Sequence, residues 1–264
     1  MDVAVGEVAD VLSGTRWVGV DEVERDSFFA DPSLDHVPAV ALFDAVVRAA
    51  STMLGRIDPD RISSRLRSVE ARFPKPCGRG VPADLRLGFP DLRPGTSCVP
   101  FEVFQGTSVV CVGRLWMSHS DDDDDELLAP WIMSPGRRAG HGLLDKHTPW
   151  RVLIGPPRRT TEDYLVADMV GPSAPADAGV HPASLLMEAA CQVATVVAKA
   201  NGNGQKNSHF ALSSIEMSLS AGESWESYPE MICHSWEVAR RKVSASIALH
   251  VDGVPRGSLV IDGR

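Results

Sequence analysis

Asp44 and Glu188 are carboxylates set inside apolar stretches, and an acid enclosed in this way is a candidate general base or nucleophile. They occupy the same place in two related segments, residues 38–45 (PAVALFDA) and 182–189 (PASLLMEA), which start 144 positions apart. In register, Pro38, Ala39, Leu42, Ala45 and Ala50 repeat as Pro182, Ala183, Leu186, Ala189 and Ala194, while Asp44 aligns with Glu188 and Arg48 with Gln192. His36 and His181 stand just ahead of the two prolines. Burying a carboxylate without a partner costs several kcal/mol, so a chain that places one twice in register is expected to use it. The copies differ in their local partners. Asp44 has a cation one helical turn on, Arg48, and such a pair contributes about 0.5 kcal/mol when exposed, whether or not it does anything more. Glu188 has only Gln192 there, so its charge lacks a local counter-ion and a functional role weighs more for it. The two histidines are candidate general acids, or they simply bond the turn ahead of each helix. Ser184 either serves the site or bonds the helix backbone.

Helices must hold these residues. Proline suits a first helical turn, and the non-polar residues from about Pro38 to Leu54 surround the axis, the pattern of a helix wrapped by other structure. A second such helix is expected from about Pro182 to Ala200, stopped by Asn201-Gly202. Alternating or β-branched stretches that read as strands follow the first helix at 68–73, 83–89, 99–105 and 108–117. In the second half they fall at 151–154 and 164–170 before the helix, and at 214–219, 231–239 and 242–251 after it. Between the halves, residues 121–126 (DDDDDE) repel one another, and Pro130, Pro135 and Gly136 follow; these read as a solvated linker over 121–142 rather than a calcium site. The expected organisation is one repeat over 1–120, the linker, and a second repeat over 143–264.

A chain of 264 residues with 44% hydrophobic content can build an ordinary globular core. Its net charge of -9 and scattered Lys and Arg argue against nucleic acid as a partner. The five cysteines have no CxxC spacing and an odd count, which indicates neither a zinc site nor a disulfide framework. His141 and His147 lack ligand-like spacing, and no HExxH, GxSxG or phosphate-binding glycine loop is present, so no metal or resident cofactor is expected. Asp2, Glu7 and Asp10 stand where a signal peptide would be basic and then apolar, and Asp44, Arg48 and Glu188 break the longest apolar runs. The expectation is a cytoplasmic protein without a membrane partner.

A helix entered through Pro-Ala, with an acid six residues after the proline and a bent antiparallel sheet behind it, resembles the hotdog fold. Two in tandem resemble a double hotdog, an α+β architecture in which each half is a long central helix wrapped by a curved antiparallel sheet. The stretch 34–38 (LDHVP) with Leu42, Asp44 and Ala45, and the stretch from 145–147 (DKH) through 158–163 (RRTTED) to His181, Glu188 and Ala189, are similar to the repeat signatures of the A-factor biosynthesis family of γ-butyrolactone synthases. The chain departs from that family in the order of the two repeat types. It also has Ala39 for the usual glycine, Asp44 for glutamate, and Val47 where an arginine is expected.

The resemblance implies action on acyl groups held as thioesters on CoA or acyl carrier protein, with CoA entering only as part of the substrate. Backbone N–H groups at a helix start suit the oxyanion formed when a thioester carbonyl is attacked, and Ala39 with Val40, and Ala183 with Ser184, supply two such starts. If the two helices pack antiparallel, as the resemblance implies, an acid of one half faces the helix entry of the other. Asp44 or Glu188 would then activate water or attack directly, with Gln192 or Ser184 orienting the nucleophile. His36, His181 and Arg48 complete the expected substrate contacts. Arg158-Arg159 and 240–242 (RRK) would meet CoA phosphates or an acidic carrier, or are plain solvated surface. The expected activity is thioester hydrolysis in a secondary-metabolite pathway. Butyrolactone-type condensation, dehydration and simple acyl-ligand binding are the alternatives, and a homodimer is compatible with the fold type.

Overall fold

The computed structural model describes residues 9–10, 15–19, 29, 36–57, 64–119, 137–144, 151–171, 180–201, 210–220, 227–239 and 242–264. The acidic run 121–126, His147 and Arg240-Arg241 lie outside the described residues. The chain forms two compact units, Met1–Asp125 and Glu126–Arg264.

In the first unit the strands are β1 (Ala9–Asp10), β2 (Thr15–Gly19), β3 (His36–Val37), β4 (Ser64–Arg72), β5 (Cys77–Gly78), β6 (Asp84–Leu87), β7 (Asp91–Arg93), β8 (Thr96–Gln105) and β9 (Ser108–His119), and the helix is α1 (Ala39–Ile57). The main sheet runs β1-β2-β6-β8-β9-β4, with β7 also on β8, and every pair is antiparallel. Period-two alternation explains which face is buried. Along β8, Ser97, Val99, Phe101 and Val103 point into the core while Pro100 and Glu102 point out. α1 packs on β4, β8 and β9 through Leu42, Phe43, Val46, Val47 and Ala50. Its entry is anchored by β3, which pairs with β5 as His36 opposite Gly78. The Gln105 side chain fixes β5 in turn, accepting from the Gly78 amide and donating to the carbonyls of Gly78 and Val81 at 2.8, 2.8 and 2.9 Å.

In the second unit the strands are β10 (Arg158–Arg159), β11 (Leu165–Asp168), β12 (Leu212–Leu219), β13 (Glu230–Ala239), β14 (Lys242–Val251) and β15 (Val254–Gly263), and the helix is α2 (Pro182–Ala200). Their antiparallel order is β12-β15-β14-β13-β11-β10. Val243, Ala245, Ile247, Leu249 and Val251 of β14 form the sheet's buried face, against which α2 packs. β14 and β15 join through Asp252 (φ 51) and Gly253 (φ 78), a two-residue hairpin whose positive φ values match strand twist. Bulges at Cys233/Ser235 in this unit and at Leu66/Ser68 and Val103/Phe104 in the first bend the ladders around their helices. α2 has the length and hydropathy of a membrane span, yet 78% of that window is buried inside the protein, as expected of a core helix.

Two expectations are corrected here. The end of the 121–142 segment is built into the second unit rather than solvated: Ala139 donates to the Ile154 carbonyl at 2.9 Å, and His141–Leu143 form a 3-10 turn. Residues 151–154, read as a strand, make one bridge only, Ile154 to Met169. Their remaining backbone groups go elsewhere, and that is where the candidate site begins.

Candidate active site

Helix α2 is apolar around most of its circumference, with Leu186, Met187, Ala189, Ala190, Val193 and Ala194 all buried. Ser184, Glu188 and Gln192 fall four residues apart and so lie along one face, a polar line through a packed core. All three are buried, at 0, 7 and 1% exposure.

The Gln192 amide reaches out of the helix to the irregular run at 151–153. Its Oε1 accepts from the Leu153 amide at 2.9 Å, and its Nε2 donates to the Arg151 carbonyl at 2.8 Å and to Glu188 Oε1 at 2.9 Å. The two backbone groups force the amide orientation, because an N–H must meet oxygen and a carbonyl must meet nitrogen. Both Nε2 protons are therefore committed. Gln192 thereby holds Glu188, whose carboxylate receives a charge-assisted hydrogen bond from a side chain tied down at two further points.

Ser184, one turn before Glu188, behaves differently. Its Oγ is buried and has no hydrogen-bond partner among the described residues. Leaving a buried hydroxyl unbonded costs about 1–3 kcal/mol, and native proteins retain such groups for a reason, a ligand among them.

The start of α2 is closed rather than open. His181 is the N-cap: its Nδ1 accepts from the Ala183 amide at 3.2 Å, and its carbonyl accepts from Ser184 and Leu185 at 2.8 and 3.4 Å. The Ala183 and Ser184 amides expected to hold an oxyanion are thus engaged within the chain. The same contact places the proton of a neutral His181 ring on Nε2.

The first unit arranges its counterparts otherwise. Asp44 Oδ2 meets Arg48 Nη2 at 2.8 Å, with the aspartate side chain 5% and the arginine 42% exposed. Val40 stands where the second helix has Ser184. At this helix start Ala41 and Leu42 donate to the Pro38 carbonyl, while the Ala39 and Val40 amides meet no backbone carbonyl among the described residues. The sequence-identified residues therefore form two groups: Ser184, Glu188, Gln192, His181 and Ala183 on α2, and His36, Ala39, Val40, Asp44 and Arg48 on β3 and α1.

The arginine pair expected to meet phosphates is already occupied. Arg158 binds Asp168 at 3.2 Å and also Glu230, while Arg159 binds Asp163 at 2.8 Å and lies 5.7 Å from the Trp236 ring centroid. All five cysteines are free thiols, with Cys77, Cys111 and Cys233 buried. Burial pushes Cys233 up to about 12 and raises Cys111 as well. Sequence reading missed the part played by residues 151–153, because nothing local links them to Gln192, some forty positions on.

No protein-family model matches the sequence, and no curated protein matches it. The likeness to butyrolactone synthases thus stays with the helix-entry motifs. Solved structures do match. The dehydratase domain of RzxB from Pseudomonas fluorescens aligns with a TM-score of 0.65 at 12% identity, covering 97% of this chain and 96% of that one. The dehydratase domain of PpsC from Mycobacterium tuberculosis, solved in complex with C12:1-CoA, gives 0.61 at 14%, covering 97% and 96%. A tesB protein from Mycobacterium avium subs paratuberculosis gives 0.57 at 12%, covering 99% and 95%. At these identities the likeness speaks to fold: the chain is a hotdog-fold protein, dominated by antiparallel sheet with few helices.

Proposed function

We propose that the chain is a tandem double hotdog that hydrolyses an acyl thioester carried on CoA or acyl carrier protein, with Glu188 as general base. The observation that carries this reading is the buried polar line on α2, a carboxylate fixed by Gln192 beside a hydroxyl, Ser184 Oγ, that has no partner among the described residues. Glu188 takes a proton from water as the water oxygen bonds the carbonyl carbon and the carbonyl electron pair moves onto oxygen. The Ser184 hydroxyl donates to that oxyanion or to the incoming thioester oxygen. On collapse the C–S bond breaks, the sulfur leaves as thiolate, and the proton held by Glu188 returns to it, giving a carboxylic acid and a free thiol. Similarity to a tesB protein and to a dehydratase domain solved with an acyl-CoA supports a thioester substrate.

Dehydration of a 3-hydroxyacyl thioester is the second reading, and one observation favours it. The Ala183 cap fixes His181 with its proton on Nε2, next to a helix that carries an acid. Incubation with saturated and 3-hydroxylated acyl-CoAs, followed by mass spectrometry, separates the two. Hydrolysis yields free acid and CoA from both classes. Dehydration yields an enoyl-CoA from the hydroxylated class alone, with no thiol released, and would overturn the first reading.

A further inference from the structure

Arg138 lies in a stretch that reads as linker, yet it is half-buried and its guanidinium meets main-chain carbonyls. Nη1 donates to Val152 O and Nη2 to Gly171 O. Arg138 makes no ion pair with a carboxylate among the described residues. Val152 sits between the two residues that hold Gln192: Arg151, whose carbonyl accepts from Nε2, and Leu153, whose amide donates to Oε1. The three-residue run is therefore gripped from one side by a guanidinium and from the other by a helix amide.

We propose that Arg138 is a positioning residue for Glu188, acting through the 151–153 backbone and Gln192. The role rests on the reading of Glu188 as the reacting carboxylate. A planar guanidinium fork can span two carbonyls that are nineteen positions apart in sequence, Val152 and Gly171, and hold both in one geometry; a lysine ammonium is a point charge without that fork. The far end is braced too. A Cβ on Gly171 would lie 2.1 Å from Tyr228 Oη, so the absence of a side chain there lets the tyrosine pack against the clamped peptide. Burial lowers the Arg138 pKa and raises that of Tyr228, consistent with a dry surround in which hydrogen bonds to carbonyls are strong. Main-chain bonds from Ala139 to Ile154 O and from Val170 to Leu153 O, 2.9 and 2.8 Å, hold the same run, so loss of the guanidinium should loosen the run without dissolving the unit.

The test uses the full chain and the variants Arg138→Gln and Arg138→Lys. Hydrogen exchange at the Leu153 amide reads the Gln192 anchor with no substrate present, and thiol release from an acyl-CoA reads the carboxylate. Exchange at Leu153 is expected to quicken about tenfold or more in Arg138→Gln, with α2 core amides such as Leu186 and Val193 still protected. The kcat should fall about ten- to a hundredfold at a KM within about twofold, the pattern of a misplaced catalytic group. Arg138→Lys should lie between, and it serves alone if Arg138→Gln does not fold. Wild-type protection at Leu153, or uniform loss of protection across α2, overturns the proposal. If the wild type releases no thiol, the thioesterase reading fails and the exchange result alone decides whether the clamp exists.

Discussion

Replacing Gln192 by Met keeps the length and volume of the side chain and deletes its polar atoms, so the cavity contribution is small and the hydrogen bonds are isolated. Three are lost. The Leu153 amide loses its acceptor in a buried place, which costs about 1–3 kcal/mol, and Glu188 loses a bond to a charged acceptor, about 1.5–3 kcal/mol. Glu188 keeps a further interaction, so its carboxylate is not left without any partner. The expected loss in stability is about 2.5–6 kcal/mol. Equilibrium urea unfolding followed by tryptophan fluorescence measures it as a drop in midpoint at unchanged slope. A loss below about 1 kcal/mol would mean that the amide does not hold Glu188 to the 151–153 run, and the description of the site would fall with it.

The equivalent change on the first helix should also cost stability. Arg48→Gln takes the cation from a carboxylate that is itself only 5% exposed, and a loss of about 1–3 kcal/mol by the same urea titration is expected. Ser184→Ala removes a hydroxyl that has no partner among the described residues, so stability should hold or rise by up to about 1 kcal/mol while thioester turnover falls about tenfold; a stability loss above that, with turnover unchanged, would contradict the assigned role. A thiol reagent at pH 8 should label the half-buried Cys98 and Cys191 in the native protein, and all five cysteines only in denaturant. The Cys233 thiol has an ordinary value near 9.0 when unfolded, and burial pushes it up to about 12 in the folded protein. Its neutral form is shared by both states below pH 9; between pH 9 and 12 only the unfolded chain ionises, so native stability falls as pH rises. The slope approaches about 1.4 kcal/mol per pH unit from this thiol, and Cys233→Ala should flatten it in urea titrations run from pH 9 to 11.

Local signals account for what could be read ahead of the structure. The second helix is expected over 182–200 and found as Pro182–Ala200, because a proline start, an unbroken apolar pattern and an Asn-Gly stop lie within the segment itself. Strands with strict alternation, such as Lys242–Val251, were legible for the same reason. The following strand, Val254–Gly263, was not, since Pro255 and Gly257 interrupt its pattern and only pairing with β12 and β14 makes it a strand. Glu188 and Gln192 stand out by type and spacing. What Gln192 does depends on a backbone run forty positions earlier that bridges to no strand over most of its length, and long-range contacts of that kind leave no periodicity. The linker reading failed at residues 137–142 for a related reason: an arginine after Pro-Gly looks solvated unless the carbonyls it will meet are known.

Thiol release from acyl-CoA by the wild type, Glu188→Gln and Asp44→Asn tests the central claim most directly. The account predicts release by the wild type, loss of about a hundredfold or more in Glu188→Gln, and retention in Asp44→Asn, whose acid is neutralised by Arg48. Undiminished release by Glu188→Gln, or loss confined to Asp44→Asn, would contradict it.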